Sequence, residues 1–388
     1  MFNFDFYNPT HIVFGKDRLA ELDTLVPKEA KVLVTYGGGS AVRSGLIDRV
    51  TTALGNRKVE QFGGIEPNPS LETCERAVAF IKENGVDFVL AVGGGSVVDA
   101  TKLIVMGATY DGSVIEVMNA GVPEVPVEMV PNPLPFGTVM TLPATGSEMN
   151  NGAVITYGDG KFPVFSSLVF PKFSMLDPTL TFTLPEKQVK NGVIDTFVHT
   201  TEQYLTYPVE GRIQDRFSEG ILKTMIEIGK ETVENPENYD IRANHVWAST
   251  LALNGLIGAG VPQDWATHLI GHELTAAYHL DHGITLAIVL PALLEVKKAD
   301  KLEKLAQYAT RVWHITEGTP EEKADKAIAK TREFFESLGV STHLKDYGLG
   351  TEAIDKIVKQ LENHGMVKLG EKRDITLEVT REILTRAL

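Results

Sequence analysis

The segment that most restricts the fold is DFVLAVGGGSVVDATKLIVMGA, residues 87 to 108. A mostly apolar run ends abruptly in three glycines and a serine, and a helix-forming stretch follows at once. A strand that is apolar on both faces has to be covered on both, and such strands belong to parallel sheets with helical crossovers. KVLVTY (31–36) has the same character and also runs into GGGS, at 37–40. EMVPNPLPFGTVMTLP (128–143) supplies another such run, and SLETCERAVAFIKENG (70–85) is a helical stretch between them. Residues 1–185 therefore read as an α/β domain, a parallel sheet with helices on both faces.

After LDPTLTFTLPEKQ the pattern changes. Thr183, Pro185 and Glu186 make a helix start: a hydroxyl cap, an early proline and an acid three residues after the cap. Thr319-Pro320-Glu321-Glu322 repeats the device ahead of KADKAIAKTREFFESLG, which closes on Gly339. Residues 186–388 read as an all-helical second domain. Two domains suit 388 residues, a length too great for one small core.

Composition narrows the function classes. Hydrophobic residues at 43% and charged residues at 23% are ordinary for a globular chain. A formal charge of −14 argues against a nucleic-acid partner, which requires a basic footprint. ITLAIVLPALL (284–294) is broken by Pro291 and far short of the roughly 20 residues that span a bilayer, so no membrane association is expected. MFNFDFYNPTHIVFG lacks the basic and apolar regions of a secretory signal. Cys74 is the only cysteine, which excludes an internal disulfide and a cysteine zinc site. A cytoplasmic enzyme is the expectation.

The two GGGS turns point to phosphate. Glycines let a ligand approach the backbone, and exposed N–H groups at a helix start attract anions. Gly94, Gly95 and Ser96 would cradle a pyrophosphate, although a glycine turn between strand and helix also serves simply as a tight turn. At the first GGGS, Gly37, Gly38 and Gly39 offer no carboxylate for the ribose hydroxyls of NAD. Ser40 offers a hydroxyl and Arg43 a cation, so a dinucleotide bound here is expected to be NADP(H).

THLIGHELTAAYHLDHG (267–283) holds four of the ten histidines. On a continuous helix His268, His272, His279 and His282 would fall within about 80° of one another, although LDHG reads as an ending with His282 in the turn. Their alternative role is a polar stripe. In NGVIDTFVHTTEQ, Asp195 and His199 share a face, with Val189, Val193 and Phe197 opposite, a pattern that also fits a solvated helix face. One carboxylate and three imidazoles would complete a shell for zinc or ferrous iron with a position left for substrate.

Taken together, FGGIEPNP (62–69), GGGSVVDATK (93–102), LPATGSE (142–148), LDPTLTFTLP (176–185) and the Asp195/His199 and His268/His272/His282 sets resemble the iron-containing (group III) alcohol dehydrogenases over nearly the whole chain. The closer resemblance is to the butanol dehydrogenase branch with its NADPH-dependent aldehyde reductases. It implies a dehydroquinate synthase-like two-domain fold, small aldehydes or alcohols as substrates, NADP(H), and one divalent metal, Fe²⁺ or Zn²⁺. It further implies Asp195, His199, His268 and His282 as the metal ligands, with His272 beside nicotinamide and substrate and His279 a bystander. Gly94, Gly95, Ser96, Asp99, Thr138, Thr141, Thr145 and Ser147 would line the dinucleotide, and Lys161 would stand near it. The alternating Phe2, Phe4 and Phe6 read as an early edge strand, and family members pair chains through such strands, so a homodimer is expected. A dehydroquinate synthase-like lyase is the alternative, but it needs basic residues for its substrate. The expected metal neighbourhood of Phe197, Trp265, Leu269 and His272 has none.

Overall fold

A computed structural model describes residues 1–119, 130 and 132–388. The chain divides into two units, Tyr7–Leu184 and Met1–Phe6 together with Pro185–Leu388.

In the first unit, β1 (His11–Phe14), β2 (Lys31–Tyr36), β3 (Lys58–Phe62), β4 (Phe88–Gly93), β5 (Phe136–Met140) and, after a hairpin, β8 (Phe173–Leu176) form one sheet. The order is β1-β8-β5-β4-β2-β3, and every pairing is parallel. The pleat explains the apolar runs. Val32, Val34, Leu90 and Val92 pack on one face with Val50 and Leu54, while Leu33, Val89 and Ala91 pack on the other with Leu103 and Ile104. Both faces are buried, so no position of β4 is free to be polar. Of the run read over 128–143, residues 128, 129 and 131 lie outside the described residues, and the strand itself is Phe136–Met140.

The Leu71–Asn84 helix begins at Ser70, whose hydroxyl accepts from Thr73 N, and ends at Gly85 with φ 63°. The hairpin is β6 (Gly152–Tyr157) with β7 (Gly160–Phe165), antiparallel through a turn at Gly158, φ 60°. Nothing in the sequence reading anticipated it.

The second unit is largely helical. Its core gathers Ile194, Val198, Ile270, Leu274, Leu286 and Leu290 with residues from later helices. The expected all-helical composition is corrected by a small antiparallel pair, β9 (Lys368–Leu369) and β10 (Ile375–Thr376). Thr319 makes the full capping box: its hydroxyl accepts from Glu322 N at 3.2 Å while Glu322 accepts from Thr319 N at 2.9 Å. The analogous start at Thr183 does not form. Pro185 occupies the cap of the Glu186–Tyr204 helix and no side chain bonds there, because Thr183 stands two residues too early.

The N-terminal segment is not a strand, contrary to the alternation of Phe2, Phe4 and Phe6. Residues 1–6 lie against the loop at Gly260 of the second unit: Phe2 N donates to Gly260 O at 2.8 Å, and a Cβ on Gly260 would strike Phe4 at 2.5 Å. The three phenylalanine rings remain about half exposed, at 47–49%. Among the described residues, no helix is long and apolar enough to cross a membrane.

Candidate metal centre and cofactor loops

Three helices of the second unit converge on one carboxylate. The Glu186–Tyr204 helix carries Asp195 and His199, the Ala266–Tyr278 helix carries His268 and His272, and the His282–Val296 helix begins with His282. The histidine-rich stretch is thus two helices. His279 caps the first in the left-handed conformation, φ 56°, and is exposed. His282 opens the second helix rather than sitting in a closing turn. Glycines permit the approach. A Cβ on Gly283 would stand 2.6 Å from Asn191 Cα, and one on Gly271 would stand 2.8 Å from Thr285 Oγ1. Asp281 is held to the Glu186–Tyr204 helix by Asn191 at 3.2 Å and Lys187 at 2.6 Å.

Asp195 Oδ1 lies 3.4 Å from His268 Nε2, 3.5 Å from His199 Nε2 and 3.6 Å from His282 Nε2. The His199 and His268 rings stack at 4.5 Å, and the His282 ring lies 5.1 Å from His268. Donors placed tetrahedrally about 2.1 Å from one ion stand about 3.4 Å apart. Asp195, His268 and His282 each bring one donor atom within 4.8 Å of the other two, a group able to hold a metal ion, and His199 lies beside Asp195 outside that group. Asp195, His199 and His268 are buried and His282 is partly so. His272 is also buried, its ring 5.2 Å from that of His282. Trp265, with φ 63°, lays its indole 5.5 Å from His268 and 6.0 Å from His199. Phe197, expected nearby, instead packs into the core against Phe334 and Phe335 at 5.2 and 5.5 Å.

Glu202 is the residue the sequence reading missed. Buried on the same helix, it contacts His268 Nδ1 with Oε2 and accepts from Thr267 N at 2.7 Å with Oε1. Burial alone would lower the pKa of His268, but the negative charge of Glu202 and the bonds to Asp195 and Glu202 outweigh it and raise it to about 9. Burial pushes the Glu202 carboxyl up as well; the backbone donors at its other oxygen favour leaving the shared proton on the imidazole. The raised pKa describes the metal-free ring, with a proton on Nε2 facing Asp195. A cation that displaced that proton would find Nε2 as a lone-pair donor, with Nδ1–H held by the Glu202 carboxylate. With imidazoles neutral as ligands, Asp195 and Glu202 bring two negative charges into a buried site, which a divalent cation balances. Carboxylate and imidazole donors suit Fe²⁺ or Zn²⁺.

The first unit holds the glycine loops. The Gly95–Thr109 helix starts on Gly94 without a side-chain cap, leaving backbone donors at its end. A Cβ on Gly94 would meet Leu142 at 3.0 Å and one on Gly95 would meet Thr145 at 2.5 Å, so these glycines also admit the LPATGSE segment. Ser147 Oγ donates to Asp99 Oδ1 at 2.6 Å, Lys102 Nζ donates to Ser147 Oγ at 2.8 Å, and Val154 N donates to Asp99 Oδ2 at 2.9 Å. Asp99 and Ser147 therefore already tie the helix to β6. Burial raises the Asp99 pKa and lowers that of Lys102 to about 8. Thr141 N donates to Gly93 O at 3.0 Å, whereas Thr138 is fully enclosed within β5.

At the first turn Gly39 has φ 100° and opens a one-turn helix, Ser40–Arg43. A Cβ on Gly39 would meet Arg43 Nη1 at 3.3 Å, so the guanidinium folds back over the turn, and among the described residues beyond its two chain neighbours no heavy atom lies within 4 Å of a Cβ on Gly38. Lys161 donates to Asn68 Oδ1 at 2.8 Å, and Asn68 N donates to Ser96 Oγ at 3.3 Å. Asn68 thus joins Lys161 to the second glycine turn, a role the sequence reading did not assign; its signal lay in FGGIEPNP.

Comparison with known proteins gives concordant matches. Residues 9–178 match the model for "iron-containing alcohol dehydrogenase", and residues 189–388 match "Fe-containing alcohol dehydrogenase family, C-terminal". The chain is 55% identical, over 100% of both chains, to the NADPH-dependent aldehyde reductase YqhD of Escherichia coli. It is 39% identical, again over 100% of both, to a probable NADH-dependent butanol dehydrogenase of Bacillus subtilis. The crystal structure of E. coli YqhD superposes with a TM-score of 0.96 at 54% identity, covering 100% of this chain and 99% of that one.

Proposed function

The chain belongs to the iron-containing alcohol dehydrogenase family, and on that premise we propose that it reduces small aldehydes with NADPH at a divalent metal. The observation that carries this is Asp195 with three imidazole Nε2 atoms within 3.6 Å of its Oδ1. Asp195, His199, His268 and His282 hold the metal, iron or zinc. When bound, the ion supplies Lewis acidity to a carbonyl oxygen and the nicotinamide supplies the hydride.

The chain's own residues do the rest. Glu202 keeps His268 in the tautomer that offers Nε2. His272, buried and next to His282, holds a proton for the product oxygen. Trp265 shields the His199 and His268 rings from water. Residues 7–184 bind the dinucleotide: Gly94, Gly95 and Ser96 face the pyrophosphate, with Asp99, Thr141, Thr145, Ser147 and Lys161 around it. Gly37, Gly38, Gly39, Ser40 and Arg43 read the 2′-phosphate. Relatives named for NADPH and for NADH both match this chain, so cofactor choice rests on this turn. The absence of a carboxylate there and the folded-back Arg43 support NADPH.

Steady-state assay tests the reading. Turnover of butanal with NADPH, lost on chelation and restored by Fe²⁺ or Zn²⁺, is expected; turnover only of a phosphorylated sugar acid with NAD would defeat it. The active form is a homodimer, a reading supported by the exposed Phe2, Phe4, Ile213 and Phe217 of the second unit, and a stable monomer in light scattering would overturn it. NADPH dependence fits a cytoplasmic enzyme, which cell fractionation checks.

A further inference from the structure

One buried ion cluster lies outside the residues assigned so far. Lys301, 2% exposed, precedes the Leu302–Arg311 helix. Its ammonium reaches Asp264 Oδ2 at 2.8 Å, Glu371 Oε1 at 2.7 Å and the carbonyl of Leu205 at 2.8 Å. Leu205 is the C-cap of the Glu186–Tyr204 helix. Asp264 stands at the head of the Ala266–Tyr278 helix, where its Oδ1 accepts from Ala266 N at 3.0 Å and its own N–H donates to Glu202 O at 2.9 Å. One ammonium therefore grips the end of one ligand helix and the beginning of another, two turns or less from Glu202 and His268.

We propose that Lys301 is a positioning residue for the metal centre, setting the separation between Asp195 and His199 on one helix and His268 on the next. The inference rests on the metal reading above. Trp265 makes the need concrete: the chain enters the Ala266–Tyr278 helix through a left-handed residue, a strained conformation for tryptophan that surrounding bonds must hold. Burial alone would lower the pKa of Lys301, but Asp264 and Glu371 outweigh it and raise it, so the clamp stays charged across the working range. A buried charge set of this kind contributes little net stability against an apolar replacement, but removing one member leaves the others uncompensated.

The test is cobalt affinity of the full-length apoprotein, by absorbance titration against a competing chelator, alongside thermal unfolding. Lys301→Met is expected to weaken binding roughly tenfold or more, because groups that orient metal ligands carry effects of that size. It should also change the d–d spectrum and lower kcat while leaving KM for NADPH unchanged, and Lys301→Arg should restore part of the affinity. Lys304→Met is the control. It removes another buried lysine nearby, paired with Asp215 at 2.6 Å and away from the Asp264 cluster, and should cost stability without weakening metal binding. If Lys301→Met fails to fold, Glu371→Gln, which weakens the cluster from its far side, should reduce affinity several-fold and is read in its place. Unchanged affinity and spectrum in the variant that folds, or equal loss in Lys304→Met, overturns the proposal. Failure of the wild type to bind cobalt at all defeats the metal reading itself.

Discussion

Replacing Glu202 by glutamine removes one charge and almost no volume, and its consequence follows from counting donors. Glu202 Oε1 accepts from Thr267 N at 2.7 Å and Oε2 meets His268 Nδ1. Glutamine has a single acceptor oxygen. If that oxygen stays with the backbone donor, the amide NH₂ faces Nδ1, the imidazole must accept there, and its proton moves to Nε2, 3.4 Å from Asp195 Oδ1. A protonated Nε2 cannot ligate. If the amide turns round, its NH₂ opposes Thr267 N instead. Either way a charge-assisted hydrogen bond is lost, at about 1.5–3 kcal/mol, which corresponds to roughly tenfold to 150-fold in metal affinity. The buried site also keeps one negative charge where it had two, so the change acts in the same direction on a divalent ion. Zinc or cobalt titration of the apoprotein against a chromophoric chelator measures it. A Kd within about threefold of wild type, less than 1 kcal/mol, would show that Glu202 is an incidental buried carboxylate.

The remaining predictions use other parts of the chain. His268→Ala should lose bound metal and nearly all turnover while His279→Ala, altered at an exposed helix cap, keeps both; equal metal content in the two refutes the ligand set. Gly38→Asp has open space for its side chain and should shift the ratio of kcat/KM for NADPH over NADH towards NADH by about tenfold or more, the worth of one charged contact. Lys102, lowered from 10.5 to about 8 in the folded state, carries its full destabilising cost below pH 8 and is relieved as pH rises to 10.5. The unfolding free energy of wild type relative to Lys102→Met should therefore rise by about 3 kcal/mol over that window, and a flat difference in denaturant titrations would contradict the assigned burial. Thr319→Ala should cost about 0.5–2 kcal/mol by removing the capping box, read as a shift in urea midpoint with unchanged m.

What the sequence determines here is local. Apolar runs stopped by glycine specify β2 and β4 and the turns after them, because a strand with both faces covered leaves no room for alternation. The Thr319 box and Gly339 bound their helix because both devices act within one turn of the backbone. The spacing of Asp195 and His199 puts them on one face for the same reason. Tertiary structure decided whatever needed two distant segments. Sheet order β1-β8-β5-β4-β2-β3 joins strands far apart in sequence, and no periodicity records which neighbour each will take. Phe2, Phe4 and Phe6 alternate like a strand yet lie along a loop at Gly260, because alternation describes a shape without naming a partner. Glu202 looked like one more acid on a helix until His268 arrived against it from 66 residues away. Asn68 and Lys161, separated by 93 residues, meet the second glycine turn only once β7 has folded back. Residue types and short-range spacing are carried in the chain, whereas a site's geometry is set by which buried surfaces close on one another.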